Sequence, residues 1–99
     1  MKPEFYVRFA EVCRLRIERG RAAARSAEPK ELSTLARELH SLAGEAGLLA
    51  IPEVMTLARA AEQAAHERAE SRSDERRRSL EVALADLDVA VRNAARSRC

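Results

Sequence analysis

The chain has 99 residues, of which 20 are alanine and only three are glycine and three proline, so its length suits one small domain with a modest core. Its formal net charge is +2 and 34% of its residues are charged, which describes a surface of mixed sign rather than a strongly basic one. The aromatic residues are confined to Phe5, Tyr6 and Phe9. No series of rings is therefore present on which nucleic-acid bases would stack, and we expect no nucleic-acid binding.

Prolines and polar breaks divide the sequence into four segments with the periodicity of amphipathic helices. The predicted helices run from Pro3 to a break at residues 26–29, from Lys30 to about Leu49, from about Pro52 to Glu70, and from about Glu75 to Ala95. Pro3 and Pro52 suit first turns, and Ser73 or Asp74 suits the cap of the last helix. The pattern predicts an all-α, antiparallel up-down four-helix bundle, with residues 1–99 forming a single domain.

Other features concern location and cysteine chemistry. The N-terminal segment lacks the uninterrupted apolar core of a secretory signal, and no segment has the apolar length of a membrane-spanning helix. We therefore expect a cytoplasmic protein that does not bind membranes, and the alanine- and arginine-rich composition favours a bacterial source. Cys13 is expected in the core, Cys99 is expected to be a mobile terminal thiol, and neither a disulfide between them nor a metal site is expected.

The second predicted helix carries the most informative stretch. Its apolar residues alternate at spacings of three and four, as in a helix that packs on other helices: Leu32, Leu35, Leu39, Leu42, Ala46 and Leu49. His40 lies one step off this seam, so its backbone is held while its imidazole looks outward. Its neighbours at helical offsets of three, four and seven are Arg37, Ala36, Ala43, Gly44 and Gly47. Apart from the arginine, these neighbours have almost no side chain, which would let another protein approach the histidine closely.

The two glycines of this helix have two explanations that the spacing leaves open. Each glycine costs about 1 kcal/mol relative to alanine inside a helix. Gly44 and Gly47 either loosen the helix before it ends near Pro52, or keep a side chain from blocking access to His40.

The stretch from His40 to Leu49 resembles the motif of the histidine-containing phosphotransfer (HPt) domain family. The family pattern reads roughly His-x-Leu-Lys-Gly-x-Ala-Gly-x-Leu-Gly, followed by a second helix that ends in Leu-Glu, and here the motif covers about residues 32–63. This sequence departs from the pattern at Ala43, where lysine is usual, at Glu45, where a small residue is usual, and at Ala50, where glycine is usual.

The resemblance implies a phosphocarrier rather than an enzyme. His40 would be the phosphoacceptor, relaying a phosphoryl group between receiver domains, or from a hybrid or separate histidine kinase to a response regulator. The partner receiver would bring the aspartate pocket and Mg²⁺, and the chain itself would need no cofactor and no metal. No glycine-rich nucleotide loop is present, so no kinase activity of its own is expected. We expect the protein to be monomeric.

The resemblance also assigns supporting roles. Arg37, Ala43, Gly44 and Gly47 would form the docking surface around the acceptor, with Arg37 in place of the missing lysine. Glu45 would put a negative charge near the site, which would slow loading or select a partner with a matching cation. Glu62 lies where many family members place a polar residue near the histidine; it either orients the imidazole or is solvated.

Four other interpretations compete, of which the least favoured is a nucleic-acid binder that uses the arginines of the first helix. A second phosphoacceptor at His66 is disfavoured because no cluster of small residues surrounds it, so we interpret it as a surface residue. The same bundle would also serve as a docking protein that binds a receiver or kinase without being phosphorylated. The remaining interpretation is an unrelated helical module that dimerises through alanine-rich faces.

Overall fold

The computed structural model describes residues 3–26 and 28–98, and the side chains of residues 4–26 and 28–97. Its elements are the helices α1 (Pro3–Ser26), α2 (Pro29–Leu48), α3 (Pro52–Glu70) and α4 (Asp74–Arg98). No strand occurs among the described residues. The prediction of an all-α fold is therefore confirmed. Part of the break before Pro29 and the predicted terminal thiol, Cys99, lie outside the described residues.

Each helix packs on two neighbours, in the cyclic order α1, α2, α3, α4. The bundle measures 42 × 19 × 18 Å, and its long axis corresponds to the rise of a helix of about 25 residues at about 1.5 Å per residue. The connections α2–α3 and α3–α4 span only residues 49–51 and 71–73, so consecutive helices are antiparallel.

The core is built from the predicted seams of all four helices. Its largest fully buried side chains are Ile17, Leu32, Leu39, Leu42, Ile51, Leu80, Leu84, Leu87, Val54, Val91 and Cys13. Leu57, expected to face inward, and Leu49, expected to close the α2 seam, are only half-buried and pack at the margin of the core. Leu49 lies past the end of α2, where the helical periodicity that predicted its burial no longer applies.

The most extensive of the four helix pairings is that of α2 with α3. The buried side chains of α3 are mainly alanines, Ala58, Ala61, Ala64 and Ala65, whereas α2 buries Ala36, Ala43 and Ala46 beside four leucines. Methyl groups allow two helix backbones to approach more closely than leucines would, because interaxial distance follows the size of the side chains at the contact. The alanine-rich face predicted for the third helix is thus buried as expected.

A buried arginine joins three parts of the bundle. Arg68 of α3 is 5% exposed, and its Nε and Nη2 donate to the carbonyl oxygen of Ala24 at 3.3 and 3.2 Å. Its Nη1 donates to the carbonyl oxygen of Ser73 at 3.2 Å. Since Ala24 lies in the last turn of α1, the guanidinium meets the negative end of that helix. Ser73 also caps α4, because its Oγ accepts the backbone N–H of Arg76 at 3.2 Å.

The end of α2 has the hydrogen bonds of a Schellman motif. The N–H of Ile51 donates to the carbonyl of Ala46 at 2.9 Å, and the N–H of Ala50 donates to the carbonyl of Gly47 at 3.2 Å. Ala50 accordingly has φ of 58°, in the left-handed region where glycine is the usual residue. The position where this chain departs from the family's glycine is therefore a position of backbone strain.

We expect Ala50→Gly to stabilise the protein by about 1 kcal/mol, because glycine adopts the left-handed conformation without the steric penalty of a Cβ atom. Urea unfolding followed by circular dichroism measures the change. Ala60→Gly is the matched control, since Ala60 is exposed inside α3, where the same substitution is expected to destabilise by about 1 kcal/mol. Equal destabilisation by both substitutions would contradict the assignment of strain to Ala50.

Candidate functional site

His40 projects from the middle of α2 into solvent. Its side chain is 78% exposed, whereas Leu39 and Leu42 on the same helix are almost fully buried. The backbone that carries the imidazole is therefore fixed by the core while the ring itself remains accessible, as predicted from the seam.

A carboxylate from α3 faces one edge of this imidazole. Nδ1 of His40 lies 3.3 Å from Oε1 and 3.3 Å from Oε2 of Glu62, whose side chain is 22% exposed. Because a carboxylate only accepts hydrogen bonds, this contact favours the tautomer in which Nδ1 carries the proton and donates it. Nε2 then keeps its lone pair, and none of the described residues hydrogen-bonds to it. Glu62 therefore contacts the imidazole and can orient it.

A second imidazole reaches the same carboxylate. Nε2 of His66 lies 3.8 Å from Oε2 of Glu62, four residues earlier on α3, and the His66 side chain is 57% exposed. His66 is thus a surface residue, as predicted, but its proximity to the site through Glu62 was missed. The spacing of four between Glu62 and His66 is the signal in the sequence, since such residues are neighbours on a helix.

Gly44 has no packing reason to be glycine. A Cβ atom built at Gly44 would meet nothing within 4 Å, and its φ is not positive. A Cβ at Gly47 would lie 3.4 Å from Sδ of Met55, within contact distance of a flexible side chain. Both glycines are exposed, and α2 continues through both to Leu48. These observations favour access to His40 over loosening of the helix as the explanation for Gly44.

The alanines beside His40 are buried, which corrects the expectation that Ala43 lies open on the docking surface. Ala36 and Ala43 are 3% and 4% exposed, whereas Arg37, Gly44 and Gly47 are exposed as expected. At about 100° per residue, Ala36 and Ala43 lie on one side of His40, toward the core, and Arg37 and Gly44 lie on the other. The open surface is therefore on the Arg37 side.

Glu45 points toward α1 rather than toward the acceptor. Its Oε2 lies 3.3 Å from Nη1 of Arg16. Five residues separate Glu45 from His40, which rotates its side chain by about 140° around the helix. The expectation that Glu45 puts its negative charge near the site is therefore corrected, because the carboxylate faces another helix and is paired there.

Leu48, at the last residue of α2, is a surface feature that the sequence interpretation missed. It is 86% exposed, the largest exposed fraction among the large apolar residues whose exposure the structure describes. Together with Gly44 and Gly47 it continues the exposed stripe of α2 beyond His40 with uncharged groups. The feature of the sequence that indicates this exposure is the position of Leu48 outside the three-four apolar seam of α2.

The remaining reactive groups offer little other chemistry. Cys13 is fully buried, and burial raises the pKa of its thiol to about 12, an effect opposed by Arg16 and reinforced by Glu45. Its nucleophilic thiolate is therefore scarce near neutral pH. Within the described part of the chain, no three His, Cys, Asp or Glu side chains are grouped to hold a metal ion. The described helices also include none with the length and apolar character needed to span a membrane.

Fold and site together define a helical bundle that presents one histidine on a rigid, accessible helix face. A protein-family model, the Hpt domain, matches residues 4–95. The chain therefore belongs to the Hpt domain family, which implies phosphotransfer in a two-component phosphorelay, a carrier rather than a catalytic role, and interaction with receiver domains and kinases. Comparison with curated proteins and with solved structures gave no match.

We expect Glu62→Ala to shift the tautomer of His40, because the variant loses the acceptor that favours a proton on Nδ1. Two-bond ¹H–¹⁵N correlation spectra of the imidazole measure the ratio of the two tautomers. Gln63→Ala is the matched control, since Gln63 is the next residue on α3 and is exposed. An unchanged tautomer ratio in Glu62→Ala would show that the carboxylate is merely near the ring.

Proposed function

We propose that the chain is a histidine phosphocarrier in which Nε2 of His40 accepts a phosphoryl group from the phosphoaspartate of a receiver domain and passes it to a second receiver. A hybrid or separate histidine kinase supplies the phosphoryl group at the start of the relay. The same proposal covers a monomeric protein, a single domain over residues 1–99, and action in the cytoplasm. The observation that carries it is the exposed imidazole of His40 with Nδ1 against Glu62.

The tautomer supports direct attack without a separate base. The lone pair of Nε2 forms the N–P bond while the P–O bond to the aspartyl group breaks with its electron pair, which regenerates the aspartate carboxylate. Nδ1 keeps its proton, so the phosphorylated ring carries positive charge, and Glu62 stabilises that charge at 3.3 Å. Mg²⁺ and the aspartate pocket are supplied by the receiver, and this chain supplies the nucleophile and its platform.

The surface beside His40 suits close approach of a second protein. The space that a side chain would occupy at Gly44 is open. Leu48 offers an exposed apolar side chain at the end of the same helix. Arg37, one turn before His40, is exposed and has no ion pair among the described residues. We assign it to anionic groups of the partner, in place of the lysine that the family pattern places at position 43.

The decisive experiment compares His40→Gln with His66→Gln, because both imidazoles lie beside Glu62. Receiver domains from the same organism, labelled with ³²P, are mixed with the parent and each variant. We expect acid-labile, base-stable label on the parent and on His66→Gln, and none on His40→Gln. The measurement is the label retained on the protein after separation from the receiver.

Two results would contradict the proposal. Label lost in His66→Gln and kept in His40→Gln would make His66 the acceptor. Absence of label from every receiver that binds the parent would favour a docking protein that is not phosphorylated.

We expect Gly44→Leu to slow transfer by roughly tenfold or more, since 1.4 kcal/mol of lost transition-state contact corresponds to tenfold. Its stability is expected to stay equal or rise, because the site has room for a side chain and leucine is the better helix former by roughly 1 kcal/mol. Stopped-flow or quench-flow transfer kinetics and a urea melt measure the two effects separately.

The matched control for Gly44→Leu is Ala85→Leu, an exposed position on α4, which is not a neighbour of α2 in the cyclic packing order. Transfer by this control is expected to equal that of the parent. A Gly44→Leu protein that transfers at the parental rate would mean that partners do not pass over Gly44.

A further inference from the structure

A charged groove runs between α1 and α2 and begins next to the acceptor. This open groove has a volume of about 400 Å³. It is lined by Arg16 and Arg19 from α1, and by Thr34, Arg37, Glu38 and Ser41 from α2. Ser41 follows His40 directly in the chain. The groove is therefore continuous with the exposed face of α2 that carries the imidazole.

The arginines of this groove are incompletely neutralised. Arg16 is paired with Glu45 at 3.3 Å, whereas neither Arg19 nor Arg37 has an ion pair among the residues that the structure describes. Glu38 is the carboxylate that lines the groove, against three guanidinium groups. The groove therefore carries an excess of positive charge on two side chains that are available to a partner.

The opposite flank of His40 places a carboxylate next to the imidazole. Glu62 projects from α3 and meets the imidazole on that side. A carboxylate on the partner is therefore attracted to the α1 side of the imidazole, where Arg19 and Arg37 lie, whereas the group beside the ring on the α3 side is itself a carboxylate. Such an arrangement selects one orientation of the partner rather than adding much affinity.

We propose that the docking surface for the phosphoryl-exchanging receiver extends from His40 across α2 onto α1, where Arg19 and Arg37 contact carboxylates on the receiver. Arg16, held by Glu45, completes the positive wall of the groove. This inference rests on the proposed phosphotransfer function and specifies how the partner is oriented. Charge complementarity and continuity with the acceptor face carry it.

The chemistry of the groove favours a protein over a nucleic acid. No aromatic residue lines it, so bases have no ring on which to stack. Glu38 and Glu45 lie among the arginines, and they would repel a continuous phosphate backbone. Separate carboxylates on a folded surface can avoid these two groups while reaching the arginines.

The test is Arg19→Glu, compared with Arg14→Glu on the same helix. Arg14 is exposed and lines a different groove, between α1 and α4, so the control has the same change of charge on the other side of α1. We expect Arg19→Glu to lower the second-order rate constant for transfer from a phosphorylated receiver by about three- to tenfold, and Arg14→Glu to leave it nearly unchanged. The rate of the parent should fall as salt rises, with a weaker dependence in Arg19→Glu.

A second readout separates docking from chemistry. Direct labelling of His40 by the small donor phosphoramidate needs no receiver, so we expect it to be equal in the parent, Arg19→Glu and Arg14→Glu. A loss of small-donor labelling in Arg19→Glu would attribute the effect to the fold or the acceptor, and would overturn the inference.

The remaining outcomes are also distinct. If neither a receiver nor the small donor labels the parent, the proposed phosphocarrier function is wrong, and the docking inference that rests on it is overturned with it. If receivers label the parent and Arg19→Glu at equal rates, the function stands and the α1 docking surface is wrong. If a single-stranded oligonucleotide binds the parent, and Arg19→Glu abolishes that binding without changing transfer, the groove serves nucleic acid and the inference is overturned.

Discussion

The site depends on the close packing of α2 on α3. His40 and Glu62 belong to different helices, and their contact at 3.3 Å requires the two backbones to be near enough for a glutamate to span the gap. The alanines that both helices bury are consistent with such an approach, because methyl groups separate packed helix axes less than larger side chains do. Close packing of these two helices is thus a condition for the contact that favours a proton on Nδ1 of His40.

The same geometry gives His40 two unlike flanks. On the α3 side Glu62 contacts the ring at 3.3 Å, and on the α1 side Arg16, Arg19 and Arg37 border an open groove. Glu45, which was expected to put a negative charge near the site, instead pairs with Arg16 in this groove. A residue that departs from the family pattern therefore contributes to an ordered charge distribution around the acceptor. Under the proposed function the asymmetry matters, because a receiver would have to present phosphorus in line with Nε2 of His40.

The helices were predictable because their signals are local. Prolines, the Ser73 cap and the three-four spacing of leucines act within one turn, and the third helix was predicted with the bounds that the structure has, Pro52–Glu70. The exposure of His40 followed from its place beside the seam. The burial of Ala43 and the pairing of Glu45 with Arg16 did not follow, because each depends on which neighbouring helix lies on each side of α2. Periodicity along one helix defines a buried face but not the identity of the helix that covers it.

Two small residues, Gly44 in α2 and Ala50 just after its end, indicate that stability alone did not determine this segment of the sequence. Ala50 takes a left-handed conformation with φ of 58° that glycine would adopt without strain, and Gly44 occupies a helical position with open space that alanine would fill favourably. Stability alone would place these two residue types the other way round. The fold therefore requires neither the strain at Ala50 nor a glycine at position 44. Gly44 lies one turn from His40, and its lack of a side chain leaves open space beside the imidazole. A glycine that the fold does not need, next to an imidazole that the core holds outward, is the arrangement expected where a second protein must reach the ring.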